Sequence, residues 1–231
     1  EVRPYIFRRL RNSLILAGAA FVVTMPVALF LGVLAGLREG GILDRVISVL
    51  SLVTTASPSF ALGVILVVVF AYWLDILPGI SALTTSGSVL GSPEKLVMPI
   101  LVLFFAEAGY VARMTRASMV DVMREPYIRT AILKGLPRSK VVFKHALRNA
   151  LLAPITVIML HINWLIGGVV VVEMLFGYPG LGSAILTASL NKDLYVIEAG
   201  AMVMTLVAVT SQLLADLLYS YLNPRIRIRE S

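Results

Sequence analysis

Residues 121–148 hold seven Lys/Arg (Arg124, Arg129, Lys134, Arg138, Lys140, Lys144, Arg148) against two carboxylates, Asp121 and Glu125. Apolar runs long enough to cross a bilayer flank this segment on both sides. No other feature constrains the chain as strongly. A basic stretch between two spans is expected on the cytoplasmic side, because translocating that much positive charge is disfavoured. The stretch is also patterned. Ile128, Ala131, Ile132 and Gly135 fall at i, i+3, i+4 and i+7, which predicts a short helix with one apolar stripe. Gly135-Leu136-Pro137 then ends it, since Gly accepts the left-handed cap and Pro cannot continue the ladder. A second helix is expected from about Arg138, leading back to the membrane. A short amphipathic helix held out by two spans suggests a docking element for a soluble partner.

Composition excludes an ordinary soluble domain. Hydrophobic residues make up 58% and charged residues 14% of the chain, against about 45–50% and about 25% in globular proteins. The net charge of +7 brackets apolar segments, so membrane topology explains it more simply than nucleic-acid binding. With no cysteine and two histidines, disulfides, thiol chemistry and a metal site are not expected.

In chain order, residues 1–11 mix Arg3, Arg8, Arg9 and Arg11 with Tyr5, Ile6, Phe7 and Leu10, which suits an interfacial helix. A first span is expected over 12–37, with Gly32 and Gly36 four apart; that spacing permits close helix contact or simply fills space. A polar turn follows at 38–45. The next apolar run is too long for one straight span of about 20 residues, and Ser57-Pro58 divides it into a helix over 46–57 and a span over 59–77. An external loop is expected at 78–95, and a third span at 96–118. After the basic loop come a fourth span (150–172), a partly re-entrant external segment (173–195) and a fifth span (196–222), then an arginine-rich tail. The fold class is therefore all-α: one polytopic membrane domain over 1–231 with about five spans. With the basic loop inside, this topology leaves the four N-terminal arginines outside, its one violation of the charge rule.

The motifs resemble the membrane-spanning subunits of binding-protein-dependent ABC importers. That family's loop signature reads Glu-Ala-Ala, three residues, Gly, nine residues, Ile-x-Leu-Pro. Here it reads Arg129-Thr130-Ala131, three residues, Gly135, nine residues, His145-Ala146-Leu147-Arg148. Ala131, Gly135 and Leu147 keep the pattern; Arg129, Thr130, His145 and Arg148 depart from it. The departures themselves are similar to the dipeptide/oligopeptide/nickel branch, B-type subunit. So are Ser57-Pro58-Ser59-Phe60, Phe176-Gly177-Tyr178-Pro179-Gly180-Leu181-Gly182 and the ending Asn223-Pro224-Arg225-Ile226-Arg227. The branch carries a further span and an external region upstream, which this chain is expected to lack. The resemblance implies a permease subunit of an importer for peptides or similar solutes in the bacterial inner membrane. Its implied partners are a second homologous permease, two cytoplasmic ATPase subunits, a periplasmic or lipid-anchored binding protein, and membrane lipid. It places ATPase coupling on the 121–148 loop, at Arg129, Thr130, Ala131, Lys134, Gly135, Leu136, Pro137 and Arg138.

Candidate pathway residues are the polar side chains within spans. His161 and Asn163 lie two apart, about 200° around a helix, so both cannot face one pore squarely. Each fits either a pathway wall or an interhelical hydrogen bond. Glu107 is costly to bury unless paired, protonated or wet; it either lines a cavity or pairs with Arg113 or a neighbouring helix. No catalytic set, cofactor motif or Walker-type loop occurs, so ATP hydrolysis is expected from a separate subunit. An ion-coupled secondary carrier is the alternative. It needs paired acidic residues or broken helices at mid-membrane, and Glu107 is nearly alone there.

Overall fold

The computed structural model describes residues 2–81 and 93–222, with the side chains of 160, 163–166 and 219–222 left aside. Most of the expected 78–95 loop, and the tail motif 223–227, therefore lie outside the described residues. Ten helices make up the described chain, and no strand occurs among the described residues. They are α1 (Val2–Leu37), α2 (Ile42–Ala56), α3 (Ser59–Leu66), α4 (Glu94–Met123), α5 (Pro126–Leu133), α6 (Arg138–Lys140), α7 (Leu147–Ala150), α8 (Leu152–Phe176), α9 (Leu181–Leu190) and α10 (Leu194–Leu222). Wider π-type turns extend α3 through Val67–Trp73 and join α6 to α7 through Val141–Ala146.

Three helices are by themselves long and apolar enough to cross a membrane: Val2–Leu37, Glu94–Met123 and Leu194–Leu218. Bent helix pairs raise the number to as many as six, a range that includes the five expected. The helix begun at Ser59 stops at Trp73 rather than near 77. Asp75 follows with a positive φ of 50°, a left-handed turn that Asp tolerates better than most residues.

The chain divides into two compact units, 1–24, 57–106 and 162–213 in one, 25–56, 107–161 and 214–231 in the other. In the first, Leu16 and Ala20 of α1 pack with Met98, Val102 and Leu103 of α4 and with Val169, Val172 and Phe176 of α8. Tyr178 completes this core and is 1% exposed. Gly63 of α3 meets the Leu175 side chain, whose terminal methyl a Cβ there would displace.

The second unit is held by close backbone approach and by polar pairs. A Cβ on Gly32 would come within 2.5 Å of the Ala112 carbonyl oxygen, and one on Gly36 within 2.7 Å of Met119 Cβ. The four-residue spacing is thus a true α1–α4 contact, the alternative that sequence left level with filler. On α2 the usual sidedness is inverted. Asp44 and Ser51 are its buried residues, while Ile42, Val46, Val49, Leu50, Leu52 and Val53 are exposed. Lipid or another apolar surface is the natural medium for such a helix. Gly109 makes room on α4 for the Ser51 carbonyl and the Thr54 and Thr55 hydroxyls, the small-residue packing that membrane helices favour.

Candidate functional site

The basic loop folds as a helix on its own small core. Pro126 opens α5 at its first position, where the missing N–H is no loss. The helix closes in a Schellman motif: Leu136 N–H reaches the Ala131 carbonyl at 3.4 Å and Gly135 N–H the Ile132 carbonyl at 2.9 Å. Gly135 sits at φ +72° in open space, so backbone conformation rather than crowding demands glycine there. Beneath the motif, Ile128 and Ala131 pack on Met119, Val141, Val142, Ala146 and Ala150, with Leu136 and Leu37 alongside. Ser118 Oγ donates to the Ala150 carbonyl at 2.7 Å, and Asn149 Nδ2 to Tyr127 Oη at 2.9 Å, tying the loop's end to its start.

The predicted stripe is narrower than its spacing. Ile128 and Ala131 turn inward, but Ile132 stays 56% and Leu133 79% exposed, because the core beneath α5 reaches only one side of the helix. Of the eight candidate coupling residues, Ala131 is buried and Leu136 half-buried. Arg129, Thr130, Lys134, Gly135, Pro137 and Arg138 are exposed. The outer face therefore combines two uncovered aliphatic side chains with a ring of cations.

Behind the loop, Arg116 of α4 grips Asp44 of α2 with two bonds, Nε to Oδ1 at 2.6 Å and Nη2 to Oδ2 at 2.7 Å. Gly40 N–H adds a bond to Oδ2 at 2.9 Å. The Arg116 guanidinium holds the Asp44 carboxyl well below its ordinary value of 3.8, against the opposing effect of burial. A lowered carboxyl pKa contributes stability above that ordinary value and loses it only as pH falls through the lowered one. The pair is thus charged throughout the neutral range.

Glu107 finds its partner on another helix, as one of the sequence alternatives allowed, and the partner is not Arg113. It is 7% exposed, and its Oε2 lies 2.6 Å from His161 Nδ1. The Tyr110 ring rests against the imidazole at 4.9 Å between centroids. Two of the three candidate pathway residues are thereby brought together; the side chain of the third, Asn163, lies outside the described residues. Arg113 meets no partner among the described residues, and its Nε is buried.

Sequence reasoning missed a fourth group. Glu173, at the end of α8, is fully buried. Its carboxyl accepts from Ser13 Oγ, from Gly182 N–H at 2.8 Å and from Ser183 N–H at 3.2 Å. Ser13 Oγ in turn accepts Leu181 N–H at 2.8 Å. Three of the free amides that open α9 are thus satisfied by one carboxyl and one hydroxyl. Tyr178 Oη donates to the Asn12 carbonyl at 2.8 Å, and Asn12 Nδ2 returns a bond to the Pro179 carbonyl at 2.8 Å. A Cβ on Gly180 would collide with the Glu173 carboxyl. The sequence signal was a carboxylate at the end of an apolar run just before FGYPGLGS, a placement that requires donors close by.

Residues 28–228 match the family described as "Binding-protein-dependent transport system inner membrane component". The oligopeptide transport system permease protein AppB of Bacillus subtilis (strain 168) is 37% identical over 227 residues, 97% of this chain and 72% of that protein. The di/tripeptide transport system permease protein DppB of Pseudomonas aeruginosa (strain UCBPP-PA14) is 34% identical, covering 93% of this chain and 70% of its own length. The glutathione transport system permease protein GsiC of Pectobacterium atrosepticum is 38% identical over 86% of this chain and 62% of its own length. A solved structure of an amino acid ABC transporter with histidines matches with a TM-score of 0.71 over 94% of each chain at 16% identity, a likeness of fold. The matched residues, the helical fold and the family's loop pattern agree, and this chain belongs to the inner membrane components of binding-protein-dependent transport systems.

Proposed function

We propose that this permease subunit carries peptides or similar small solutes across the bacterial inner membrane, alongside a second homologous permease subunit. In this reading two cytoplasmic ATPase subunits dock on the 121–148 loop, and a periplasmic or lipid-anchored binding protein delivers the solute on the other side. ATP hydrolysis belongs to those partners, and no cofactor or nucleic acid is required. The spans are those at 12–37, 59–73, 96–118, 150–172 and 196–222, the second ended at Trp73 where its helix stops, and Glu107, His161 and Asn163 line the pathway. Peptide and glutathione permeases among the relatives support the solute class.

One observation carries the coupling role. α5 stands on a core of its own and still leaves Ile132 and Leu133 bare beside Arg129, Lys134 and Arg138. Exposed aliphatic residues ringed by cations suit a partner surface with an apolar pocket and an acidic rim. The Schellman turn fixes how that face is presented, so a push on α5 is passed to Met119 and α4 rather than absorbed in a slack loop.

Gly135→Val tests this. The left-handed backbone costs a β-branched residue about 1–2 kcal/mol, enough to re-aim the turn without unfolding the spans. The variant is expected in the membrane at normal level, with ATP hydrolysis retained in the assembled complex and uptake per ATP lowered by about tenfold or more. Normal uptake per ATP in Gly135→Val would remove the coupling assignment.

A further inference from the structure

The ionisable groups of α4 within its apolar stretch form a short ledger. Arg116 is matched by Asp44 and Glu107 by His161. Arg113 is matched by nothing among the described residues, although it is half-buried and its Nε is shielded from solvent. An uncompensated cation half-buried within an apolar helix is expensive, and such residues normally face a partner or a watered path.

Its surroundings point to a path. Glu107, Tyr110 and Arg113 stand at i, i+3 and i+6, a single ridge on α4. The Glu107 end of this ridge is buried against His161 of α8, whereas Tyr110, in its middle, is 42% exposed, so the ridge opens from its middle toward Arg113. Tyr110 touches His161, which holds Glu107. The row thus runs from a carboxyl–imidazole pair, across an aromatic ring, to a guanidinium with no partner among the described residues. Six residues of helix separate its ends by about 9 Å along the axis, near the length of an extended peptide of two to three residues.

We propose that Arg113 is the subsite that receives the carboxylate of the transported solute, its planar fork pairing with the two oxygens. This rests on the reading of the chain as a peptide permease. The solute supplies the countercharge that Arg113 lacks among the described residues, and the ammonium end of a short peptide then falls toward the Glu107–His161 end of the ridge. A transient pairing suits transport better than a permanent internal one, because an internal carboxylate at Arg113 would compete with each passing solute.

The test uses the assembled complex in proteoliposomes, with its own binding protein and ATPases, and compares uptake of a dipeptide with uptake of its C-terminal amide. Selection by the binding protein affects wild type and variant alike, so the change in the acid-to-amide ratio reports the permease. Arg113→Gln is expected to lower that ratio by about tenfold, the scale of one charge-assisted hydrogen bond, through loss of acid uptake with amide uptake retained. Arg113→Lys, which keeps the charge but not the fork, is expected to lie between. An unchanged ratio, or an equal fall for both solutes, overturns the subsite while leaving the peptide permease intact. Where Arg113→Gln does not assemble, an unchanged ratio in Arg113→Lys has the same force. A wild-type complex that imports neither solute overturns the peptide reading itself, and the subsite with it.

Discussion

Two segments turn on a glycine with positive φ, Gly177 and Gly135, and run on into a short helix, yet they treat their polar groups in opposite ways. Around Glu173, between α8 and α9, nearly every donor is turned inward: a carboxyl with no exposed surface accepts a serine hydroxyl and two amides. Around Gly135, between α5 and α6, the core is purely aliphatic and the cations are left facing out. Both contain a Gly-x-Pro or Gly-Tyr-Pro-Gly punctuation, so turn chemistry alone does not separate them. The difference lies in where the charge sits relative to the turn. A buried network is fixed by its own satisfaction, whereas an exposed cationic helix keeps its donors available for something that is not part of the chain.

The sharpest way to break this contrast is to empty the buried network. Glu173→Ala leaves Ser13 Oγ and the amides of Gly182 and Ser183 without their acceptor, and each such buried donor costs about 1–3 kcal/mol. The expected outcome is a loss of about 3–5 kcal/mol in the first unit, read as a large fall in Tm of the detergent-solubilised protein or as failure to accumulate in the membrane. Glu173→Gln, which keeps an acceptor, should recover part of it. A Tm within a degree or two of wild type for Glu173→Ala would mean that the network is decoration, and the two segments would then differ only in sequence.

Ser13→Ala is the middle test. The serine both donates to Glu173 and accepts from Leu181 N–H, so its loss strands one amide and removes one of three donors to the carboxyl. About 1–2 kcal/mol is expected, less than for Glu173 because two amides still hold the carboxyl. Equal effects from Ser13→Ala and Glu173→Ala would place the serine, not the carboxyl, at the centre of the network.

How far each segment could be read from sequence follows from the range of its interactions. The helical stripe at 128–135 and its stop at Gly135-Leu136-Pro137 are local patterns, and the structure has that helix, closed by the Schellman turn. Ile132 landed outside because i+4 spacing gives the direction of a stripe and not the width of the surface it meets. Glu107 was recognisable as a group needing a partner, but the partner stands 54 residues away, and nothing local distinguishes His161 from Arg113. Gly32 and Gly36 carried a real signal for close approach that chance occurrence equals in any apolar helix. Glu173 was invisible as a centre because Ser13 is 160 residues distant, and one serine in an apolar run carries no mark of its use.

Among the described residues the loop shares one ion pair with the 38–45 turn, and it sets the lower end of the scale. Arg124 Nη2 lies 2.6 Å from Glu39 Oε1, with 68% and 43% of the two side chains exposed. Solvent and salt screen such a pair, and immobilising two long side chains offsets most of what remains. Arg124→Ala is therefore expected to change stability by less than about 0.5 kcal/mol, an order of magnitude below Glu173→Ala. If the outward cations serve a partner rather than the fold, the same variant shows its effect elsewhere: complex formation with the ATPase subunits should weaken, and weaken less as ionic strength rises. A clear loss of Tm in Arg124→Ala, with ATPase binding untouched at low salt, would make the loop a self-satisfied element like the Glu173 network. The contrast between the two segments would then vanish.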